Sequence, residues 1–412
     1  MLLNKAEKSS FKPFPAHANA IVEALHEIFH EGMKADKAVE KILKSDKRRG
    51  SKDRAFIAEQ IYEIVRWYRL LTQISGIEPT KEKEWFNLIG ACWIIQGHAL
   101  PDWKEFEYLS KEKVLNKYKL FVQHRAISQS IPDWLDQLGE QELGSLWGPV
   151  LEALNKPASL ILRVNTLKAS HHYVQLALEK EGINTIKLSE EGLCVPVKKN
   201  IFLTNAFKEG LIEVQDFGSQ QIAAFLEVEP GMKVIDACAG AGGKSLHLAA
   251  LMKNKGQLIS LDIFEKKLIE LQRRARRNGV HIIEARCIES NKTIKRLKEK
   301  ADRLLLDVPC SGLGVLRRNP DAKWKLTPQF LEEIKITQQN LLRSYSSMVK
   351  PGGKLVYATC SILPSENEKQ INSFLHTEEG KCFSLESQKT LLPSDFGYDG
   401  FFMARLKRNF SE

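Results

Sequence analysis

The stretch from Lys233 to Asp262 limits the fold of this chain more than any other part of it. Lys233-Val-Ile-Asp-Ala237 reads as a short buried strand, Cys238-Ala-Gly-Ala-Gly-Gly-Lys-Ser245 as a glycine-rich turn, and Leu246-His-Leu-Ala-Ala-Leu-Met252 as a helix. Gly256-Gln-Leu-Ile-Ser-Leu-Asp262 is a second strand closing on an acid, and a helical pattern runs from Phe264 to Asn278. Strand, glycine turn, helix, strand and acid open a nucleotide-binding βαβ unit. The glycines let backbone approach the ligand, and the acid takes a ribose hydroxyl pair. Strand and helix alternate from about Asp216 to the end of the chain, as in a doubly wound α/β sheet.

Two further strand-like runs each close on a cysteine. Arg303-Leu-Leu-Leu-Asp307 leads into Val308-Pro-Cys310-Ser-Gly312, and Lys354-Leu-Val-Tyr-Ala-Thr359 leads into Cys360-Ser361. Ligands of open α/β sheets sit beyond the carboxyl ends of the strands. Neighbouring strands lie only about 4.8 Å apart. If these two strands are neighbours, both thiols and the Asp307 carboxylate face one crevice.

The glycine turn narrows the ligand. A phosphate-cradling P-loop needs glycine where Cys238 stands, and a dinucleotide turn needs a glycine spacing that Gly240-Ala-Gly-Gly243 lacks. S-adenosylmethionine remains, since it carries a ribose but no phosphate. Cys238, Ala239, Gly240, Ala241, Gly242, Gly243, Lys244, Asp262 and Asp307 are the candidate cofactor contacts.

The segments Gly240-Ala-Gly-Gly-Lys244, Asp307-Val-Pro-Cys-Ser-Gly312, Arg317-Arg-Asn-Pro-Asp-Ala-Lys-Trp324 and Ala358-Thr-Cys-Ser361 together resemble the RNA cytosine-5 methyltransferases of the Sun/Fmu type. Leu162-Arg-Val-Asn-Thr-Leu-Lys168, Val214-Gln-Asp-Phe-Gly-Ser-Gln220 and Asp399-Gly-Phe-Phe402 extend the likeness to nearly the whole chain. Two departures stand out: Ala241 replaces the usual proline of the glycine turn, and Ala285-Arg-Cys-Ile-Glu289 lacks a further acid. The resemblance implies a class I, Rossmann-like, S-adenosylmethionine-dependent methyltransferase. It also implies three domains: a helical NusB-like RNA-binding domain over 1–140, a small α+β RNA-recognition-like subdomain over 141–215, and the catalytic domain over 216–412.

Helical spacing of apolar residues in Asn19–Phe29 and Asp53–Trp67 agrees with the first of these. In the second, a strand begins at Ser159, a helix spans His171–Glu181, and short strands fall near Thr185–Leu188 and Leu193–Val195. Ordinary proportions of hydrophobic (43%) and charged (27%) residues fit a soluble globular protein. No apolar run has the length of a membrane span. Seven cysteines without framework spacing fit a reducing cytoplasm, and a formal charge of +10 favours an anionic partner, RNA first. A monomer without metal completes the expectation.

Methylation at C5 of cytosine needs a nucleophile that adds at C6, a group that stabilises the charge that develops, and a base. Cys360, Cys310, Asp307 and Lys244 are the candidates. Residue chemistry alone leaves open which thiol attacks. DNA enzymes use a Pro-Cys cysteine, which would nominate Cys310. The RNA family uses the Thr-Cys-Ser cysteine, so the resemblance implies that Cys360 attacks and Cys310 assists release. Asp307 is expected to hydrogen-bond the N3/N4 edge of the base. Arg317, Arg318, Lys323 and Trp324 are candidate RNA contacts, because guanidinium groups and an aromatic ring suit phosphate and base stacking. Lys47, Arg48 and Arg49 in a breaker-rich loop are further candidates, as are Lys198 and Lys199. Arg273-Arg-Ala-Arg-Arg277 reads as a solvated helix face, and Cys92, Cys194, Cys287 and Cys382 as small buried hydrophobes. A tRNA substrate, or a non-catalytic role in ribosome assembly, are the competing functions.

Overall fold

The computed structural model describes residues 13–197 and 199–410, so Lys198 lies outside the described residues. The chain divides into two compact units. One runs up to Lys156 and takes in Leu316–Thr327; the other comprises Pro157–Val315 and the residues from Pro328 onward.

The first unit is helical: Pro15–Phe29, Ala35–Ser45, Ser51–Arg66, Tyr68–Ser75, Trp85–Ile95, Lys111–Phe121, Asp133–Leu143 and Trp147–Leu154 are its main helices. It thus continues past residue 140. Every residue from Leu88 to Ile94 is buried, as expected of a helix that is apolar on all sides. The polar edge of Trp93 is satisfied within that core, where its Nε1 donates to Gln60 Oε1 at 2.9 Å. Asp53 acts at the start of Ser51–Arg66, its Oδ2 accepting from the Gly50 amide at 2.8 Å, which occupies one of the amides that a helix start leaves unpaired.

The second unit holds two sheets. The smaller contains β1 (Leu160–Val164), β2 (Ile186–Lys187), β3 (Gly192–Val195) and β4 (Ile212–Val214), in the order β2-β3-β1-β4 and antiparallel throughout. The larger contains β5 (Lys233–Asp236), β6 (Gln257–Asp262), β7 (Ile283–Cys287), β8 (Ala301–Asp307), β9 (Val349–Thr359), β10 (Phe383–Leu391) and β11 (Phe401–Arg408), in the order β10-β11-β9-β8-β5-β6-β7. Its strands β5 to β9 pair in parallel, and β11 and β10 add an antiparallel edge. Successive side chains of a strand point to opposite faces. Accordingly Val234, Leu305 and Val356 pack with Leu246, Ala249 and Met252 on one side. Ile235, Leu304, Leu306 and Leu355 pack with Leu342, Ile371 and Phe374 on the other. Among the described residues no helix is long and apolar enough to cross a membrane.

Buried charge fastens the small sheet to the helix Glu265–Asn278. Glu213, opposite Arg163 in the β1–β4 register, accepts from Arg274 Nη2 at 2.9 Å, from Asn278 Nδ2 at 2.6 Å and from Arg277. Arg277 also stacks over Phe207 at 3.8 Å. Half of the supposed solvated face is therefore structural: Arg273 and Arg276 are exposed, whereas Arg274 and Arg277 are partly buried and paired. Burial pushes the Glu213 carboxyl up, but Arg274, Asn278 and Arg277 outweigh it and hold the group below the usual carboxylate range. Its stabilisation is thus present above the unfolded carboxylate pKa and is lost as pH falls through the lower folded value. Glu213→Ala is predicted to cost about 2 kcal/mol, less than a fully buried pair because both guanidinium groups keep some exposure. Thermal unfolding would then shift down by about 4–8 °C for a unit of this size. An unchanged melting temperature at neutral pH would show that the carboxylate carries no such load.

Candidate active site

Strands β8 and β9 are parallel neighbours, with Asp307 opposite Ala358, so the condition for a shared crevice is met. Beyond their ends the Sγ atoms of Cys310 and Cys360 lie 3.0 Å apart, and the Cys360 amide points at Cys310 Sγ at 3.3 Å. Both cysteines are free thiols and partly buried. At that separation one S–H hydrogen sits between the two sulfurs. The hydrogen bond to Cys360, together with burial, pushes the Cys310 thiol well above its ordinary range. Cys310 is thereby held as a neutral thiol beside Cys360.

Lys244, on the helix Gly243–Leu251 that follows the glycine turn, donates to Asp307 Oδ2 at 2.6 Å. Burial works against its ammonium, but Asp307, with Cys360 and Asp236 adding, outweighs it and holds the lysine above its usual range. Lys244 also lies 5.9 Å over the ring of Phe401 from the adjoining edge. A carboxylate at a strand end and a cation from the neighbouring helix thus stand together at the edge that carries the two thiols. Below them Asp236 is buried, one of its oxygens accepting from Ser245 Oγ at 2.6 Å and the other without a hydrogen-bond partner. Burial, reinforced by Asp307, pushes this carboxyl up to about 7 despite the Ser245 bond.

The glycine turn has its amides turned inward. Ala239 N donates to Leu261 O at 2.9 Å, Gly242 N to Ala239 O at 2.9 Å, and Gly240 N to Asp262 Oδ2 at 2.8 Å. These are the groups that would cradle a phosphate in a P-loop, and here they are spent. Gly242 has φ +87°, and a Cβ on it would lie 2.6 Å from Leu271, so only glycine fits. At Gly240 and Gly243, by contrast, a Cβ would meet nothing within 4 Å, which marks the open side of the turn. Arg274 Nη1 braces the turn by donating to the Ala241 carbonyl at 2.7 Å. Asp262, at the end of β6, uses its second oxygen to accept from Phe264 N at 2.8 Å. Each of its oxygens keeps a further lone pair for a ligand. Cys238 is largely enclosed beneath the turn, and burial pushes its thiol upward.

Sequence reading missed the polar knot behind the thiols. Ser311 and Ser361, which directly follow the two cysteines, both bond Glu366, a fully buried carboxylate on the turn Pro364–Glu366. The available signal was a serine after each cysteine, with an acid five residues beyond the second.

The RNA candidates fare unequally. Lys323 is buried in the helical unit, its Nζ donating to Arg66 O at 2.8 Å and Asn155 Oδ1 at 3.3 Å. Burial and Arg66 push its ammonium well below the usual range. Trp324 donates from Nε1 to Val65 O at 2.7 Å and meets Tyr68 edge-on at 5.5 Å. Arg317 is buried, and its Nε donates to Lys156 O at 3.3 Å. The sequence expectation is corrected for Arg317 and Lys323, which are buried in the helical unit, nearness to Cys310 along the chain having been mistaken for exposure; Trp324 is half-buried, with its indole N–H already bonded. Arg318 is partly buried. Arg49 is also structural, donating to Ile42 O at the end of Ala35–Ser45. Lys47 and Arg48 are exposed, Arg48 pairing with Asp46 at 2.9 Å. Lys199 donates to the Gly182 carbonyl. Lys323→Met should therefore leave the salt dependence of RNA binding as in the parent protein. A slope reduced by about 0.7–0.9, the release expected for one lost phosphate contact, would restore Lys323 to the RNA surface.

The sequence model described as 16S rRNA methyltransferase RsmB/F matches residues 223–407, and the one described as the RsmF/B-like ferredoxin-like domain matches residues 131–201. The probable ribosomal RNA small subunit methyltransferase B of Synechocystis sp. is 38% identical over 300 residues, covering 68% of this chain and 67% of that protein. Its counterpart in Bacillus subtilis is 34% identical over 312 residues, covering 70% and 68%. Among solved structures, that of PH0851 superposes with a TM-score of 0.82 at 26% identity, covering 97% of this chain and 100% of its own. Matched along both sheets and at this level of identity, the chain belongs to the RsmB/F family of 16S rRNA methyltransferases.

Proposed function

We propose that this protein methylates C5 of a cytosine in small-subunit ribosomal RNA, using S-adenosylmethionine as donor and a covalent bond between Cys360 and C6 of the base. The observation that carries this reading is the pair of free thiols 3.0 Å apart at the ends of adjacent parallel strands. A protein that only binds RNA during ribosome assembly has no use for two adjacent thiols beside a partly buried lysine–carboxylate pair.

The residues present suit the donor. The turn is open above Gly240 and Gly243, the amides of Ala239, Gly240 and Gly242 are already bonded, and Asp262 retains acceptor capacity for a ribose. Gly240 to Lys244, Asp262 and Asp307 would hold it. When bound, S-adenosylmethionine supplies an electrophilic methyl group.

The remaining chemistry belongs to the chain. C5 is a poor nucleophile while the pyrimidine is aromatic. Addition of the Cys360 thiolate at C6 breaks that aromaticity and gives C5 enamine character. Asp307 accepts from the N4 amine of the base, and the Lys244 cation offsets the negative charge that the ring gains as sulfur adds. After C5 is methylated its proton passes to a water molecule, the electron pair of the C–H bond restores the C5–C6 double bond, and the bond from C6 to Cys360 breaks with its electron pair remaining on sulfur. Cys310 assists that last step, because its thiol lies 3.0 Å from the departing sulfur. The target base leaves its stack to reach a strand-end crevice, and Lys47, Arg48 and Arg318 are the proposed phosphate contacts.

Two measurements test this. Asp262→Ala should weaken S-adenosylmethionine binding in calorimetry by about 1–3 kcal/mol, the loss of charged hydrogen bonds; unchanged affinity would remove Asp262 from the ribose site. Cys360→Ala should abolish methylation and form no protein–RNA adduct, whereas Cys310→Ala should accumulate an adduct that survives denaturing electrophoresis. An adduct with the Cys360 variant and none with the Cys310 variant would exchange the two roles.

A further inference from the structure

We propose that Glu366 is the positioning residue of the two thiols: its carboxylate gathers the residues that follow Cys310 and Cys360, and so sets the distance between the sulfurs. The inference rests on the function proposed above, and it concerns a residue that touches neither thiol.

Glu366 has no exposed surface. One of its oxygens accepts from Ser311 N at 2.8 Å and from Gln338 Nε2 at 3.0 Å; the other takes short bonds from the hydroxyls of Ser311 and Ser361. A carboxylate offers about four lone-pair sites, and these four donors fill them. Two of the donors lie on the loop after β8 and one on the loop after β9. The fourth, Gln338, comes from the helix Pro328–Ser346 and also donates to Pro309 O at 3.0 Å, which ties down the residue before Cys310. The two serine hydroxyls lie 3.3 Å from each other.

The backbone of Glu366 is itself anchored. Tyr357 Oη donates to its carbonyl at 2.7 Å, and Asn367 Nδ2 donates to Ser361 O at 3.1 Å. On the far side Gly314 N donates to Cys360 O at 2.9 Å. A Cβ at Gly314 would lie 2.8 Å from that same carbonyl and 2.2 Å from Gly400 O, so the approach requires glycine. Each thiol is thus followed by a residue that cannot move without breaking a bond to one shared buried carboxylate.

This matters for one chemical step. An S–H···S hydrogen bond is weak and needs close approach, and a displacement of about 1 Å in a reacting pair costs on the order of 100-fold in rate. Loosening Glu366 should therefore slow release of Cys360 from C6 while leaving binding of donor and RNA intact. Glu366→Gln keeps the side-chain volume but loses the charge, and its NH2 must face either the Ser311 amide and Gln338 Nε2, which cannot accept, or the two serine hydroxyls, whose bonds would have to reverse.

The test uses the full chain and two readouts, one independent of activity. Dibromobimane bridges thiols that are close together, and peptide mass spectrometry follows the Cys310–Cys360 bridge. In Glu366→Gln the bridging rate should fall at least about 10-fold relative to single alkylation of the same thiols. The methylation kcat should fall about 100-fold with KM unchanged, and adduct should accumulate. Bridging at the parent rate in a folded Glu366→Gln protein would overturn the proposal. If that variant does not fold, Ser311→Ala/Ser361→Ala replaces it, with the same expectation and the same contrary result. Slow bridging without any methylation by the parent enzyme would sustain the positioning role and sink the proposed function instead.

Discussion

Parallel pairing of β8 with β9 turns two cysteines, far apart in the chain, into one chemical group. The register that sets Asp307 opposite Ala358 delivers both thiols to the same edge of the sheet. The two sulfurs share one hydrogen bond, and that bond together with burial holds the Cys310 thiol well above its ordinary range. A one-residue slip in a strand would send its side chains to the opposite face. Leu304, Leu305 and Leu306, and Leu355, Val356 and Tyr357, are unbroken apolar runs buried on both faces of the sheet, as in parallel strands covered on both sides.

Around the dithiol, charge is arranged by enclosure more than by number. Lys244 stays charged in a largely buried setting because Asp307 is within direct hydrogen-bond reach. Asp236, equally enclosed but without a cation in contact, is driven toward its neutral form near neutral pH. The two carboxyl groups stand at the ends of adjacent strands, and only Asp307 has the Lys244 ammonium within hydrogen-bond distance. Glu366 shows a third solution, a buried carboxylate satisfied entirely by neutral donors.

Much of this was legible in the sequence, for definite reasons. The strands of the large sheet are short continuous apolar runs with turn residues at both ends, and the glycine turn has little conformational choice. The thiols, Lys244, Asp262 and Asp307 follow directly from those elements. What escaped depends on contacts between distant segments. The strand Ile212–Val214 is too short to show alternation. Arg274 and Arg277 look like solvated charges until Glu213 is seen beneath them. Lys323 and Trp324 look like RNA ligands until Val65 and Arg66 take their donors. Glu366 reads as an ordinary surface acid, because the four donors that fill it come from three separate segments.

The central claim is that this chain installs 5-methylcytosine in small-subunit ribosomal RNA and that the Cys360 sulfur does the work. Bisulfite sequencing of that RNA tests it most directly, in cells lacking the gene and in the same cells supplied with the parent protein or Cys360→Ala. The account predicts a methylated cytosine that disappears with the gene, returns with the parent protein, and does not return with the variant. An unchanged methylation map, or restoration by Cys360→Ala, would contradict it.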